Sequence, residues 1–225
     1  MTSSKFDARA GTEYDAVFFD FDGVLVESLD VKRRAFIEIY RPYGVAIAER
    51  AAEHHDANRG MSRYEKFRLY HREFLGRELD EAGVTELASA FSKKVEDAVV
   101  ACPEVPGAMA TLEALQAFRP RLSLFVVSAT PGPELERILH RRGIATAFDG
   151  AFGSPDSKSK IIHTLIRDRA LAAHRCLMIG DSLADLEASR EAGIDFLGRT
   201  SIPSDFPEGC DTVTDLTCLA TRIGV

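Results

Sequence analysis

The sequence predicts an α/β protein, a doubly wound parallel sheet with an all-helical insert after its first strand. Three observations carry that prediction. The run Ala16-Val17-Phe18-Phe19 reads as a strand buried on both faces, and it leads straight into Asp20-Phe21-Asp22-Gly23. From residue 29 to residue 101 the apolar spacing stays helical, with no strand-like alternation. From residue 108 onward short apolar runs alternate with helical patterns, the order that builds a parallel sheet covered by helices on both faces.

Taken in order, residues 1–14 lack the apolar core of a signal peptide and read as a short disordered tail. Residues 15–28 and 102–225 form the expected α/β core, and 29–101 the helical insert. Within the insert, Leu29, Phe36, Ile37 and Tyr40 mark a first helix closed by Pro42 and Gly44. Tyr64, Phe67, His71 and Phe74 mark another helical face, and Val84, Leu87, Phe91, Val95 and Val99 a further one. The segment Cys102 to Gly107 is the return linker, with Pro106 suited to the first turn of the next helix. That helix is expected to bury Ala108, Leu112, Leu115 and Phe118. A second strand runs from Leu122 to Val127 and ends at Ser128. A helix with Leu135, Ile138 and Leu139 inward stops at Gly143. A short strand near Ala151-Phe152 precedes a helix carrying Ile161, Ile162, Leu165 and Ile166. Strand Cys176–Ile179 then ends in Gly180-Asp181-Ser182. A helix through Ala192, a strand Ile194–Leu197 and a closing unit around Thr212-Val213 complete the chain.

Composition narrows the function classes. A chain of 225 residues with 45% hydrophobic and 28% charged residues is that of an ordinary globular protein. No apolar run approaches the roughly 20 residues that span a bilayer, so no membrane partner is expected. The formal charge of −7 argues against a nucleic-acid surface, and an anionic substrate must be captured by local cations. Cys102, Cys176, Cys210 and Cys218 are scattered without metal or disulfide spacing, and Cys176 reads as a small core residue. A reducing cytoplasm fits that usage.

The polar residues of interest share one location. In a doubly wound sheet, ligands bind beyond the carboxyl ends of the strands. Asp20 and Asp22, Ser128, Lys158 and Asp181 all lie there. Two carboxylates two residues apart after a buried strand raise each other's pKa unless a cation sits nearby. Gly23 lets the backbone turn tightly and approach a ligand. Asp20 can attack phosphorus as a carboxylate nucleophile, and Asp22 can give a proton to the leaving oxygen and take one from water. Mg²⁺ keeps several waters, so Asp20, the Asp22 carbonyl and Asp181 suffice to hold it. Lys158 would hold phosphoryl oxygens, and Ser128 with the Ala129 amide would donate to them.

Structural alternatives stand beside these roles. Ser128 or Thr130 can cap the following helix, and Asp181 can cap the helix starting near Ser182. Lys158 can be a solvated lysine at a helix start. Asp185 reads as a structural hydrogen-bond acceptor near the site rather than a direct ligand.

Together the motifs resemble those of the haloacid dehalogenase superfamily. DFDGVLVES resembles its first motif, DxDGxxxxS, and Ser128 in VVSAT its second. Lys158 resembles the third, and GDSLAD (180–185) the fourth. The resemblance covers about residues 15–200. It implies a Rossmann-like core, a Mg²⁺-dependent phosphoaspartyl intermediate, and a helical cap inserted after the first motif. Dehalogenases lack the second aspartate, so Asp22 places the chain with phosphatases and phosphomutases. The third motif departs from the usual pattern, leaving Lys158 and Lys160 in competition; a lysine at the helix start with Ile161 and Ile162 inward resembles the family's layout better, which favours Lys158. Gly60-Met61-Ser62-Arg63 resembles the GxSR loop of β-phosphoglucomutase-like members, where the arginine reaches a second anionic part of the substrate. Otherwise Ser62 caps a 62–75 helix and Arg63 is solvated. The expected activity is hydrolysis of a small phosphorylated metabolite, a sugar phosphate or a phosphoglycolate-like ester. A phosphosugar mutase is the first rival. A phospho-acceptor signalling domain is the second, although such domains are about half this length.

Overall fold

Strand β1 (Ala16–Phe19) is fully buried and lies in the middle of a six-stranded parallel sheet of order β3-β2-β1-β4-β5-β6. The computed structural model describes residues 14–118, 121–200 and 205–223. After β1 the chain leaves the sheet for four helices, α1 (Leu29–Tyr40), α2 (Val45–Ala57), α3 (Arg63–Leu75) and α4 (Glu81–Ala101). It returns through α5 (Ala108–Gln116), β2 (Ser123–Pro131), α6 (Gly132–Arg141), β3 (Gly150–Ser154) and α7 (Lys158–Asp168). Strand β4 (Cys176–Gly180), α8 (Leu183–Ala192), β5 (Asp195–Arg199), β6 (Thr212–Val213) and α9 (Leu219–Arg222) follow. The architecture is an α/β doubly wound, Rossmann-like sheet with an inserted helical unit.

Alternation along the strands builds two cores. Val17, Phe19, Leu124, Val126, Leu177 and Ile179 face one side of the sheet. Ala16, Phe18, Phe125, Val127, Cys176 and Met178 face the other, against Ile161, Ile162 and Leu165 of α7. Such continuous apolar runs are what a parallel sheet covered on both faces requires. The insert has its own aromatic centre, with the Phe36 ring 4.7 Å from that of Phe91 and 5.7 Å from that of Phe67.

Chain order reverses between β1 and β4, so the crevice of a doubly wound sheet opens beside these two strands. Phe19 aligns with Ile179 on one side and Val126 on the other, which brings the carboxyl ends of β1, β2 and β4 level.

Several local expectations are corrected. Phe118 is 45% exposed, because α5 stops at Gln116 and Thr111 completes its buried face. Gly107 (φ +81°), not Pro106, stands at the helix start; the Pro106 carbonyl instead accepts from the Leu216 amide at 2.9 Å. In α1, Ala35 and Ile39 are buried where Ile37 is only partly so. Strand β2 continues past Ser128 to Pro131, with a register irregularity against β3 between Val127 and Pro131. Tyr14, expected in the tail, is buried and its hydroxyl donates to Asp195 at 3.0 Å. The rest of the expected tail, residues 1–13, lies outside the described residues.

Candidate active site

The first carboxylate is carried one residue beyond β1. The Asp20 amide donates to the Ile179 carbonyl at 2.9 Å, so its backbone still belongs to the sheet. Its Oδ1 accepts from the Phe21 amide at 2.7 Å, and its Oδ2 lies 2.8 Å from Lys158 Nζ. Lys158, the first residue of α7, is buried, and its Nζ also lies 2.6 Å from Asp185 Oδ1. Lys160 points to solvent and pairs with Asp156 at 2.6 Å. Of the two lysines, Lys158 is the one that meets Asp20.

Asp181 follows β4 directly and does not cap α8. Ser182 takes that position, and its hydroxyl and amide donate to Asp185 Oδ2 at 2.6 and 3.2 Å. Asp185 thus acts partly as the structural acceptor expected of it. Even so, Asp20, Asp181 and Asp185 each bring a carboxylate oxygen within 4.8 Å of the others. Gly23 makes this approach possible. At its φ of +73° a side chain is strained, and an added Cβ would sit 2.8 Å from Asp181 Oδ2.

The electrostatics follow from burial. Desolvation, with Asp185 and Asp22 adding and Lys158 opposing, pushes the Asp20 carboxyl up to about 6. Burial, then Asp20 and Asp185, raise Asp181 well above the usual carboxylate range, against Lys158 and Arg59. Lys158 is desolvated too, but Asp185 and Asp20 outweigh that and hold it as an ammonium above its ordinary pKa. Three buried carboxylates with one close ammonium are short of positive charge. That donor set fits a hard divalent cation with oxygen ligands.

The Asp22 carboxyl is not part of this cluster, although it follows Asp20 by only two residues. The chain bends at Phe21, and Val24, Leu25 and Val26 turn their amides toward the Phe21 carbonyl. Asp22 Oδ1 accepts from Ser28 Oγ at 2.6 Å, while Oδ2 accepts from Lys32 Nζ and from Thr130 Oγ1 at 3.0 Å. Burial pushes this carboxyl up, but Lys32 foremost, then Ser28 and Thr130, bring it below its ordinary value. Neither Ser128 nor Thr130 caps α6, whose preceding residue is Pro131. Ser128 Oγ accepts from the Thr130 amide at 3.1 Å. Ser128, Ala129 and Lys158 line a cleft of about 310 Å³ between core and insert.

Arg63 is placed differently from both expectations. Ser62 does cap α3, its Oγ accepting from the Glu65 amide at 3.3 Å. The Arg63 guanidinium is neither solvated nor free for a ligand. It grips Glu134 of α6 through two bonds of 2.8 and 2.7 Å, donates to Ser92 at 2.8 Å, and stacks 4.5 Å over Phe91. The cation that does face the carboxylate cluster from the insert is Arg59, with Nη1 3.5 Å from Asp181.

The profile of the haloacid dehalogenase-like hydrolases matches residues 14–193. The chain belongs to that family. It is an enzyme, a phosphoric monoester hydrolase. Phosphoglycolate phosphatase of Colwellia psychrerythraea is 25% identical over 197 residues, 84% of this chain and 85% of that one. The 6-phosphogluconate phosphatase of Escherichia coli is 26% identical over 223 residues, covering 92% and 91%. In fold the hydrolase is similar to β-phosphoglucomutase from Clostridium difficile, with a TM-score of 0.76 at 18% identity, covering 92% and 93%. No helix among the described residues is long and apolar enough to cross a membrane.

Four residues in or near this site escaped the sequence reading. Lys32 was detectable in principle, because Ser28 and Lys32 are four apart across the start of α1 and so share one helix face. Thr130 and Arg59 carried no local signal, their partners Asp22 and Asp181 lying 108 and 122 residues away. Lys66 carried a misleading one: a lysine in a helix ordinarily faces water, whereas here it is 1% exposed.

Proposed function

We propose that the enzyme hydrolyses small phosphomonoesters, of the sugar phosphate or phosphoglycolate kind, with Mg²⁺ and through a phosphoryl group carried on Asp20. The observation that carries this reading is the meeting of Asp20, Lys158, Asp181 and Asp185 at the carboxyl ends of β1 and β4. The phosphatase names of the two curated relatives support it, and their phosphoglycolate and phosphogluconate substrates fit its class.

In this reading the Asp20 carboxylate attacks phosphorus as the bond to the leaving oxygen breaks. Strand β1 and the Phe21 amide hold Asp20 in place, so little reorganisation accompanies the attack. Asp22 protonates the leaving oxygen, then takes a proton from the water that releases phosphate and restores Asp20. Its contacts with Lys32, Ser28 and Thr130 favour the ionised form, which suits the second half; the first half requires Lys32 to let go. Lys158 holds phosphoryl oxygens, with Ser128 and the Ala129 amide donating to them from the same cleft. Asp20, the Asp22 carbonyl and Asp181 would hold Mg²⁺, beside Asp185, and the ion would offset the charge of the incoming phosphate. Arg63, bound to Glu134, lends no support to the mutase alternative through its loop.

Measuring inorganic phosphate release against isomer formation over a panel of sugar phosphates with Mg²⁺ tests the proposal. Release without isomerisation is expected, and Asp20→Asn is expected to abolish it while leaving the fold intact. Wild-type turnover by Asp20→Asn would overturn the nucleophile assignment.

A further inference from the structure

Beneath the insert lies a second, smaller cavity of about 30 Å³, lined by Lys32, His55, Arg59, Arg63 and Lys66 and, from the core, by Ala129. No carboxylate lines it. Three of its cations are already matched. Arg63 is neutralised by Glu134, Lys32 by Asp22, and Arg59 lies 3.5 Å from Asp181. Lys66 is not. Among the described residues its Nζ meets no carboxylate, only the Nδ1 of His55 at 2.7 Å and the face of Phe36 at 5.6 Å. The acids whose charge favours it are committed elsewhere, Asp56 to Arg33 and Asp181 to Arg59.

A lysine 1% exposed without a counter-ion is an expensive arrangement. Burial, then the neighbouring Lys32, bring its pKa down to about 7. His55 is held neutral by burial and by Lys66 itself, so its Nδ1 can accept but cannot compensate charge. The cavity therefore carries at most one unit of unmatched positive charge, that of Lys66 when protonated, in a space suited to one compact group. Its Ala129 wall is shared with the larger cleft that contains Ser128 and Lys158. The two spaces are therefore neighbours across Ala129, which sets the remainder of a molecule whose phosphoryl group lies in that cleft beside the cationic cavity.

We infer that Lys66 binds a carboxylate on the leaving group, so that the substrates are phosphomonoesters of hydroxy acids. The single unmatched charge suits a monoanion, and the small volume suits a carboxylate over a second phosphate. This assignment rests on the phosphatase reading above. It transfers the expected anion-reading role from Arg63, which Glu134 occupies, to Lys66 three residues further along α3.

The test compares kcat/KM within two length-matched sets. The first is 2-phosphoglycolate, 2-hydroxyethyl phosphate and 1,2-ethanediol bisphosphate. The second is 6-phosphogluconate and glucitol 6-phosphate. p-Nitrophenyl phosphate serves as a general hydrolase probe. The wild-type enzyme is expected to prefer the carboxylate over its neutral twin at least tenfold in one set or both. In Lys66→Met that ratio should fall at least tenfold. Equal turnover of acid and neutral twin in both sets overturns the inference without any variant. So does a ratio that survives Lys66→Met, or a bisphosphate preferred to the carboxylate. An enzyme that hydrolyses p-nitrophenyl phosphate but fails these comparisons loses only the carboxylate subsite. One that hydrolyses none of the esters overturns the phosphatase reading, and the subsite with it.

Discussion

The Arg63–Glu134 pair offers the sharpest test of how the insert is held on the core. Arg63 belongs to α3 and Glu134 to α6, and their side chains are only 4% and 3% exposed. Two parallel bonds of 2.8 and 2.7 Å join them. Removing one member leaves the other charged and desolvated, at a cost of about 3–5 kcal/mol. For a chain of this size each kcal/mol shifts Tm by about 2–4 °C, so single variants are expected to melt roughly 6–20 °C lower. Replacing both with apolar residues, Arg63→Met with Glu134→Leu, removes the stranded charge and should restore much of that loss. Thermal and denaturant melts of the four proteins measure the coupling directly. A substrate-anchoring arginine predicts another pattern: a raised KM in Arg63→Met, with stability unchanged and Glu134→Leu silent. If each single variant costs under about 1 kcal/mol, the pair behaves as an exposed one and the buried-latch account is wrong.

Three further outcomes follow from the site. Lys158→Met should lose at least a hundredfold in kcat/KM on any ester hydrolysed, while Lys160→Met, at an exposed pair, stays within twofold; similar losses in both would refute the choice of lysine. Gly23→Ala should lower stability by about 1–3 kcal/mol from the left-handed backbone alone, and should weaken metal binding because its Cβ meets Asp181; calorimetric titration with Mg²⁺ and a melt check both. Asp20 and Asp181 have carboxyl pKa values raised above the unfolded value, so their contribution favours folding as pH falls from about 6 toward 4 and is lost as pH rises. Mg²⁺ competes with those protons, so it should raise Tm clearly at pH 7.5 and little at pH 5; equal shifts at both would contradict the cluster as the metal site.

The sheet and the polar residues at or near its strand ends were legible in the sequence because their signals are local. Four consecutive apolar residues mark β1, the periodic spacing marks the helices, and Asp20 and Asp181 stand just beyond strand ends. Where local spacing misled, a long-range contact had decided. Phe118 fits a helical stripe, yet α5 stops before it. Asp22 follows Asp20 by two, yet a bend at Phe21 and three partners turn its carboxyl away.

By itself, then, the sequence determined the α/β class, the helical insert and the identity of the acidic and basic groups at the strand ends. These depend on periodicity and on short motifs, which neighbouring residues express. Only the tertiary structure decided which charges meet. Arg63 finds Glu134 across 71 residues, and Arg59 finds Asp181 across 122. Lys66, on a helix with no local mark of burial, is left without a counter-ion among the described residues. Electrostatic pairing in a low-dielectric interior is set by distance in space, so the state of each charge emerges only once insert and core are packed together.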